Sequence, residues 1–189
     1  MKKTAVLICN QFCNFEIAPA LEMLGMVGKP ITVYARTLAP VRSEEGLTVL
    51  PDKGIDEFIV EEYDSLLLPG AMDIREAIED EAILDFIRRF DGMPIGAISI
   101  APLLLLRAGM LDGKPFMAGI NAEELAEEGW TVDKLALMKG WDDNLQNPIP
   151  EGYIRSGNIV TSVSYNFVRW ALAFGELLGI DLSPKVFGI

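Results

Sequence analysis

The segment Ala97-Ile98-Ser99-Ile100-Ala101-Pro102 carries an apolar run into a serine framed by small residues, and a leucine-rich stretch follows. Small residues two positions to either side of a nucleophile let the chain turn sharply, so the side chain stands exposed at the carboxyl end of a strand. The pattern is that of a nucleophile elbow at Ser99. A serine at its free pKa is a poor nucleophile, and the histidine that usually takes its proton is missing, since the chain has no histidine at all. Glu16 is a candidate acid or base. It lies in Asn10-Gln11-Phe12-Cys13-Asn14-Phe15-Glu16, where the first strand-like run gives way to the first helix. The turn in Leu66-Leu67-Leu68-Pro69-Gly70-Ala71 offers backbone donors at Gly70 and Ala71, which with the amide of Ile100 could hold an oxyanion.

Each of these residues also has an ordinary structural reading. Ser99 could cap a helix that begins near Pro102. Glu16 suits the positive end of a helix dipole, with Asn14 as the N-cap. Pro69-Gly70 is a common strand exit. Backbone angle separates the first pair of readings, because an elbow holds Ser99 at positive φ, at a cost of about 1–3 kcal/mol, whereas a cap stays in the β region. An elbow also places the Glu16 carboxyl about 2.5–3.0 Å from the Ser99 hydroxyl. Burial there raises the carboxyl pKa and lets the protonated acid donate to the serine oxygen.

Other chemistry has less support. Cys9 reads as a packed thiol in an apolar strand, while Cys13 falls in the following loop, near the same cleft, and is a possible accessory thiol. Two cysteines spaced Cys-x-x-x-Cys without histidine are a poor zinc set, and no glycine-rich phosphate loop is present, so neither metal nor cofactor is expected. Trp141, Asp142 and Asp143 read as part of a solvated acidic loop or a lid.

The elements that must position these residues alternate along the chain. Near-continuous apolar runs at residues 4–9, 31–35, 65–68, 94–98 and 159–162 read as strands buried on both faces. Amphipathic stripes separate them: Ile17, Leu21 and Leu24; Ile83, Leu84, Ile87 and Phe90; and Phe167, Trp170, Ala171, Phe174, Leu177 and Leu178. This alternation predicts an α/β three-layer sandwich with a mostly parallel central sheet. Hairpins are expected at residues 41–50 and 153–162, and residues 139–152 read as an ordered loop or lid. The length and the lack of an internal boundary predict one domain over residues 1–189.

The composition narrows the partners. With 50% hydrophobic residues the chain can bury a sizeable core, and a net charge of −12 disfavours nucleic acid and anionic membrane surfaces. No apolar run approaches the roughly 20 residues of a membrane span, no signal-peptide pattern is present, and two cysteines make no disulfide framework, so a cytoplasmic protein is expected.

In order and spacing, the segment Phe15-Glu16, the stretch from Ser43 to Asp52, the turn Leu67-Leu68-Pro69-Gly70, the elbow, residues 106–114 and Gly157-Asn158-Ile159-Val160-Thr161-Ser162 resemble the ThiJ/PfpI superfamily over almost the whole chain. This flavodoxin-like, glutamine-amidotransferase-like group includes deglycases, glutathione-independent glyoxalases, proteins described as intracellular proteases, and isonitrile hydratases. The resemblance implies a homodimer whose interface lies close to the first helix and the elbow. It also implies a cysteine at the elbow, tuned by the glutamate at position 16, and often a histidine beside it. Here the elbow holds Ser99, the next residue is Ile100, residues 117–120 are apolar or glycine, and Ala71 replaces a second glycine. A serine forms no low-pKa thiolate, so thiol-dependent glyoxalase or deglycase chemistry is not expected. The expectation is a retained pocket that binds a small metabolite or a partner, with degenerate catalysis. The alternative is a hydrolase or hydratase, amidase-like or isonitrile-hydratase-like, that uses Ser99 and Glu16 on a small molecule.

Overall fold

The computed structural model describes residues 1–189. Eleven strands form in chain order: β1 (Lys3–Leu7), β2 (Ile31–Ala35), β3 (Val41–Arg42), β4 (Thr48–Val49), β5 (Lys53–Gly54), β6 (Tyr63–Leu68), β7 (Ile95–Ile98), β8 (Phe116–Met117), β9 (Met138–Lys139), β10 (Ile154–Ser156) and β11 (Ile159–Ser162). The helices are α1 (Asn14–Met26), α2 (Arg75–Glu79), α3 (Glu81–Arg88), α4 (Pro102–Arg107), α5 (Ala122–Glu127), α6 (Val132–Leu135), α7 (Trp141–Gln146) and α8 (Phe167–Leu177).

Seven strands make one sheet in the order β10-β11-β7-β6-β1-β2-β5, parallel throughout except for the antiparallel edge strand β10. The period of two along each strand divides its side chains between two cores. Ala5, Leu7, Leu66, Leu68, Ile95 and Ala97 face α2, α3 and α4, where Ile83, Phe86, Ile87 and Leu103 to Leu106 close over them. Val6, Ile8, Leu67, Ile98 and Val160 face α1 and α8, against Ile17, Met23, Leu24, Trp170 and Phe174. Helices on both faces of a largely parallel sheet give the expected three layers.

Both expected hairpins form, β3 with β4 and β10 with β11. Residues 139–152 are not a continuous loop, because Trp141–Gln146 is helical. A six-residue helix with one buried residue is too short to write an apolar period into the sequence. Asn14 is not the cap of α1 either. Cys13 occupies the N-cap position without a side-chain bond, and the amide of Phe15 donates instead to Glu45 Oε1 at 3.0 Å.

The strand order places the site. From β1 the chain crosses to β2 on one side, and later returns to β6 on the other. The carboxyl ends of β1 and β6 therefore meet at a topological switch point, where open α/β sheets bind ligands. The chain leaves β1 toward Glu16, leaves β6 into Gly70, and leaves the adjacent strand β7 into Ser99.

Candidate functional site

Ser99 has φ 61°, in the left-handed region. Helix α4 begins at Pro102 with Ala101 in the N-cap position at φ −59°, so Ser99 lies outside the helix and caps nothing. The strained angle is over-determined by its neighbours. The Ser99 amide donates to the Ser162 carbonyl at 2.8 Å, and the Ser99 carbonyl accepts from the Gly119 amide at 2.7 Å. Pairing of β11 with β7 in register at Ser162 and Ile98 brings the first of these partners alongside. Holding a serine in this region costs about 1–3 kcal/mol, which its surroundings must supply.

Glu16 reaches the elbow from α1. It is 1% exposed, and its Oε2 accepts the Gly70 amide at 2.7 Å. A Cβ placed on Gly70 would lie 2.7 Å from Glu16 Oε2, 2.9 Å from Ser99 Oγ and 2.6 Å from Ser99 Cβ. Both oxygens thus sit within 3 Å of one point, and only glycine fits there. Burial pushes the Glu16 carboxyl up to about 7, and the negative charges of Glu44 and Glu45 push in the same direction. Hydrogen bonds from the Gly70 amide and the Ser99 hydroxyl pull it back without overcoming the burial. With the carboxyl near 7, the carboxylate can accept from the Ser99 hydroxyl and the protonated acid can donate to it.

The Gly70 amide is occupied by Glu16, which removes it from the expected oxyanion donors. The amides of Ala71 and Ile100 donate to no protein group and remain open for that role. Cys13 was the accessory candidate, and its surroundings oppose thiolate chemistry. Burial, the charge of Glu16 and a bond to Glu44 all raise its pKa far above the ordinary thiol range. Burial raises Cys9 to about 11. No cluster of three His, Cys, Asp or Glu side chains is arranged to hold a metal ion.

Sequence reasoning missed three contributors. Gly119 supplies the amide that fixes the Ser99 carbonyl, and a Cβ there would come within 3.1 Å of both Ser99 Cα and Oγ. Glu45 crosses thirty residues to the start of α1. Gln11, at φ 60°, is a second non-glycine residue in the left-handed region, held by its amide to the Arg42 carbonyl and by its carbonyl from the Met72 amide. A lone glycine in an apolar loop and an acidic hairpin tip were the only signals available.

The chain is similar to known proteins along most of its length. It is 35% identical over 121 residues to protein/nucleic acid deglycase 2 of Escherichia coli, covering 62% of this chain and 70% of that protein. It is 26% identical over 188 residues to an isonitrile hydratase of Pseudomonas putida, covering 92% and 75%. The fold matches a DJ-1 superfamily protein of Agrobacterium tumefaciens with a TM-score of 0.80 at 20% identity, covering 99% of this chain and 94% of that one. It matches Drosophila melanogaster DJ-1beta at 0.73 with 23% identity, covering 95% and 92%. Residues 2–176 match the DJ-1/PfpI family, and the chain belongs to that family.

Proposed function

We propose that the elbow is a small-molecule site in which Glu16 moves a proton beside Ser99, hydrating or hydrolysing a compact carbonyl, amide or isonitrile compound. The observation that carries this reading is a buried carboxyl poised at about 7, sharing one confined space with a serine hydroxyl held at positive φ. Near neutral pH both protonation states of Glu16 are populated, so it can take a proton from water or from Ser99 and return it to the product. The open amides of Ala71 and Ile100 supply donors for charge that develops on the substrate. For an isonitrile, the water oxygen bonds to the terminal carbon, and its two hydrogens end on carbon and nitrogen, giving an N-substituted formamide without any change of oxidant or reductant. The similarity to an isonitrile hydratase over 92% of the chain supports testing that class first.

A second reading keeps the same pocket for binding a metabolite or partner with little turnover, and the lack of any histidine to shuttle protons favours it. Thiol-dependent deglycase or glyoxalase chemistry has no nucleophile in this site. Two unpaired thiols suit a reducing, cytoplasmic setting. The deciding experiment offers a simple alkyl isonitrile, a primary amide and methylglyoxal to the protein and to Glu16→Gln. Turnover that falls at least about 100-fold in the variant supports the catalytic reading. Turnover unaffected by the substitution refutes it, and saturable binding without turnover selects the second reading.

A further inference from the structure

Helix α7 has a single buried residue, and that residue is polar. Asn144 is 1% exposed, whereas Leu145, its apolar neighbour, is 56% exposed. The Asn144 amide nitrogen faces Met117 Sδ at 2.8 Å, a weak acceptor, and its Oδ1 is the one buried side-chain polar atom in the chain without a hydrogen-bond partner. A buried, unsatisfied carbonyl favours whatever conformation returns it to water.

The other ties of α7 are peripheral, among them a bond from Lys139 Nζ to the carbonyl of Asn147 at its C-terminal cap. Asp142 and Asn121 exchange bonds of 2.9 and 3.1 Å, the Trp141 amide donates to the Ile120 carbonyl at 3.3 Å, and the Trp141 ring meets the half-exposed Tyr165 edge-on at 5.3 Å. Beyond the helix, Pro148 and Pro150 precede Gly152. The segment on which α7 rests, Met117 to Asn121, includes Gly119, whose amide holds the Ser99 carbonyl. Few buried apolar contacts and an unsatisfied buried group are the physical marks of an element that opens locally before the rest of the fold.

We propose that α7 is a hinged lid on the flank of the elbow and that Asn144 is its weak latch. The closed lid leaves one carbonyl buried without a protein partner, and the open lid exposes it and frees the Met117–Asn121 segment whose Gly119 amide holds the Ser99 carbonyl. The opening itself is independent of the reaction assigned above, whereas its role in admitting a ligand rests on Ser99 being the site.

The test compares Asn144→Leu, which replaces the amide with an apolar group of similar size, and Asn144→Asp, which buries a charge at the same place. In hydrogen–deuterium exchange, amides of residues 141–147 slow about tenfold in Asn144→Leu, equivalent to ~1.4 kcal/mol, and quicken in Asn144→Asp. Exchange in β1 and β6 stays unchanged in both. In a Ser99→Cys background, iodoacetamide labelling at position 99 slows in step with lid exchange. Exchange at 141–147 that is unchanged, that shifts the same way in both variants, or that moves together with β1 and β6 overturns the latch. Lid exchange that slows while labelling at position 99 does not overturns the gating role and leaves the reading of Ser99 and Glu16 untouched.

Discussion

Replacing Glu16 with glutamine should make the protein more stable at pH 8 and leave stability nearly unchanged at pH 4.5. The carboxyl is 1% exposed and titrates at about 7 instead of its ordinary 4.5. A folded state that holds a proton more tightly than the unfolded chain loses stability as pH rises. The penalty is absent below 4.5, grows from 4.5 to 7, and is complete above 7. At about 1.4 kcal/mol for each tenfold in acidity, the interval amounts to roughly 3 kcal/mol. Glutamine preserves the shape, accepts the Gly70 amide through its carbonyl and never ionises, so it reproduces the protonated acid at every pH. Urea unfolding of both proteins across pH 4.5 to 8 isolates the effect, because the other titrating groups cancel in the difference. The difference should change in favour of the variant by roughly 3 kcal/mol over that range, with most of the change between pH 5 and 7. A flat difference, or one that turns against the variant as pH rises, would refute the raised pKa and with it the idea that Glu16 is a neutral-pH acid and base.

Two shorter predictions rest on the same geometry, and a third rests on the family resemblance. Gly70→Ala sets a methyl 2.6 Å from Ser99 Cβ and 2.7 Å from Glu16 Oε2, so it should cost about 1–3 kcal/mol in urea unfolding and abolish ligand binding, and a neutral effect would contradict the packing. Native Cys9 and Cys13 should label slowly with iodoacetamide at pH 8, Cys9 because its thiol sits at about 11 and Cys13 because it lies higher still, whereas Ser99→Cys should add a site that labels at least about tenfold faster than Cys9. A homodimer should appear in light scattering at micromolar concentration, and a mass of 20.8 kDa would exclude it.

What the sequence made legible follows the range of the forces involved. The turn at Ser99 was readable because its requirement is local: small residues at Ala97 and Ala101 permit it, and the observed φ of 61° at Ser99 answers it within five residues. The five principal strands were readable because burial on both faces of a sheet writes continuous apolar runs, although β1 ends at Leu7 and does not include Cys9. Helix α7 and the two-residue strands β5, β8 and β9 were not, since elements this short need only one or two buried side chains and leave no period. The electrostatics of the site were hidden for a different reason. Glu44 and Glu45 sit on a hairpin tip about thirty residues from Glu16, where a sequence shows only a solvated acidic pair. The bridge of Phe12 to Ser43 and the bond from the Glu44 amide to the Phe12 carbonyl fold that tip against the start of α1. There one carboxylate receives the Phe15 amide, and both oppose ionisation of Glu16. The hairpin thus helps to hold the Glu16 carboxyl in place and to set its acidity. Removing the charges at Glu44 and Glu45 should therefore lower the Glu16 pKa even though neither residue would have been chosen as part of the site, and NMR titration of the Glu16 side chain in Glu44→Gln and Glu45→Gln would show an unchanged midpoint if this coupling were absent.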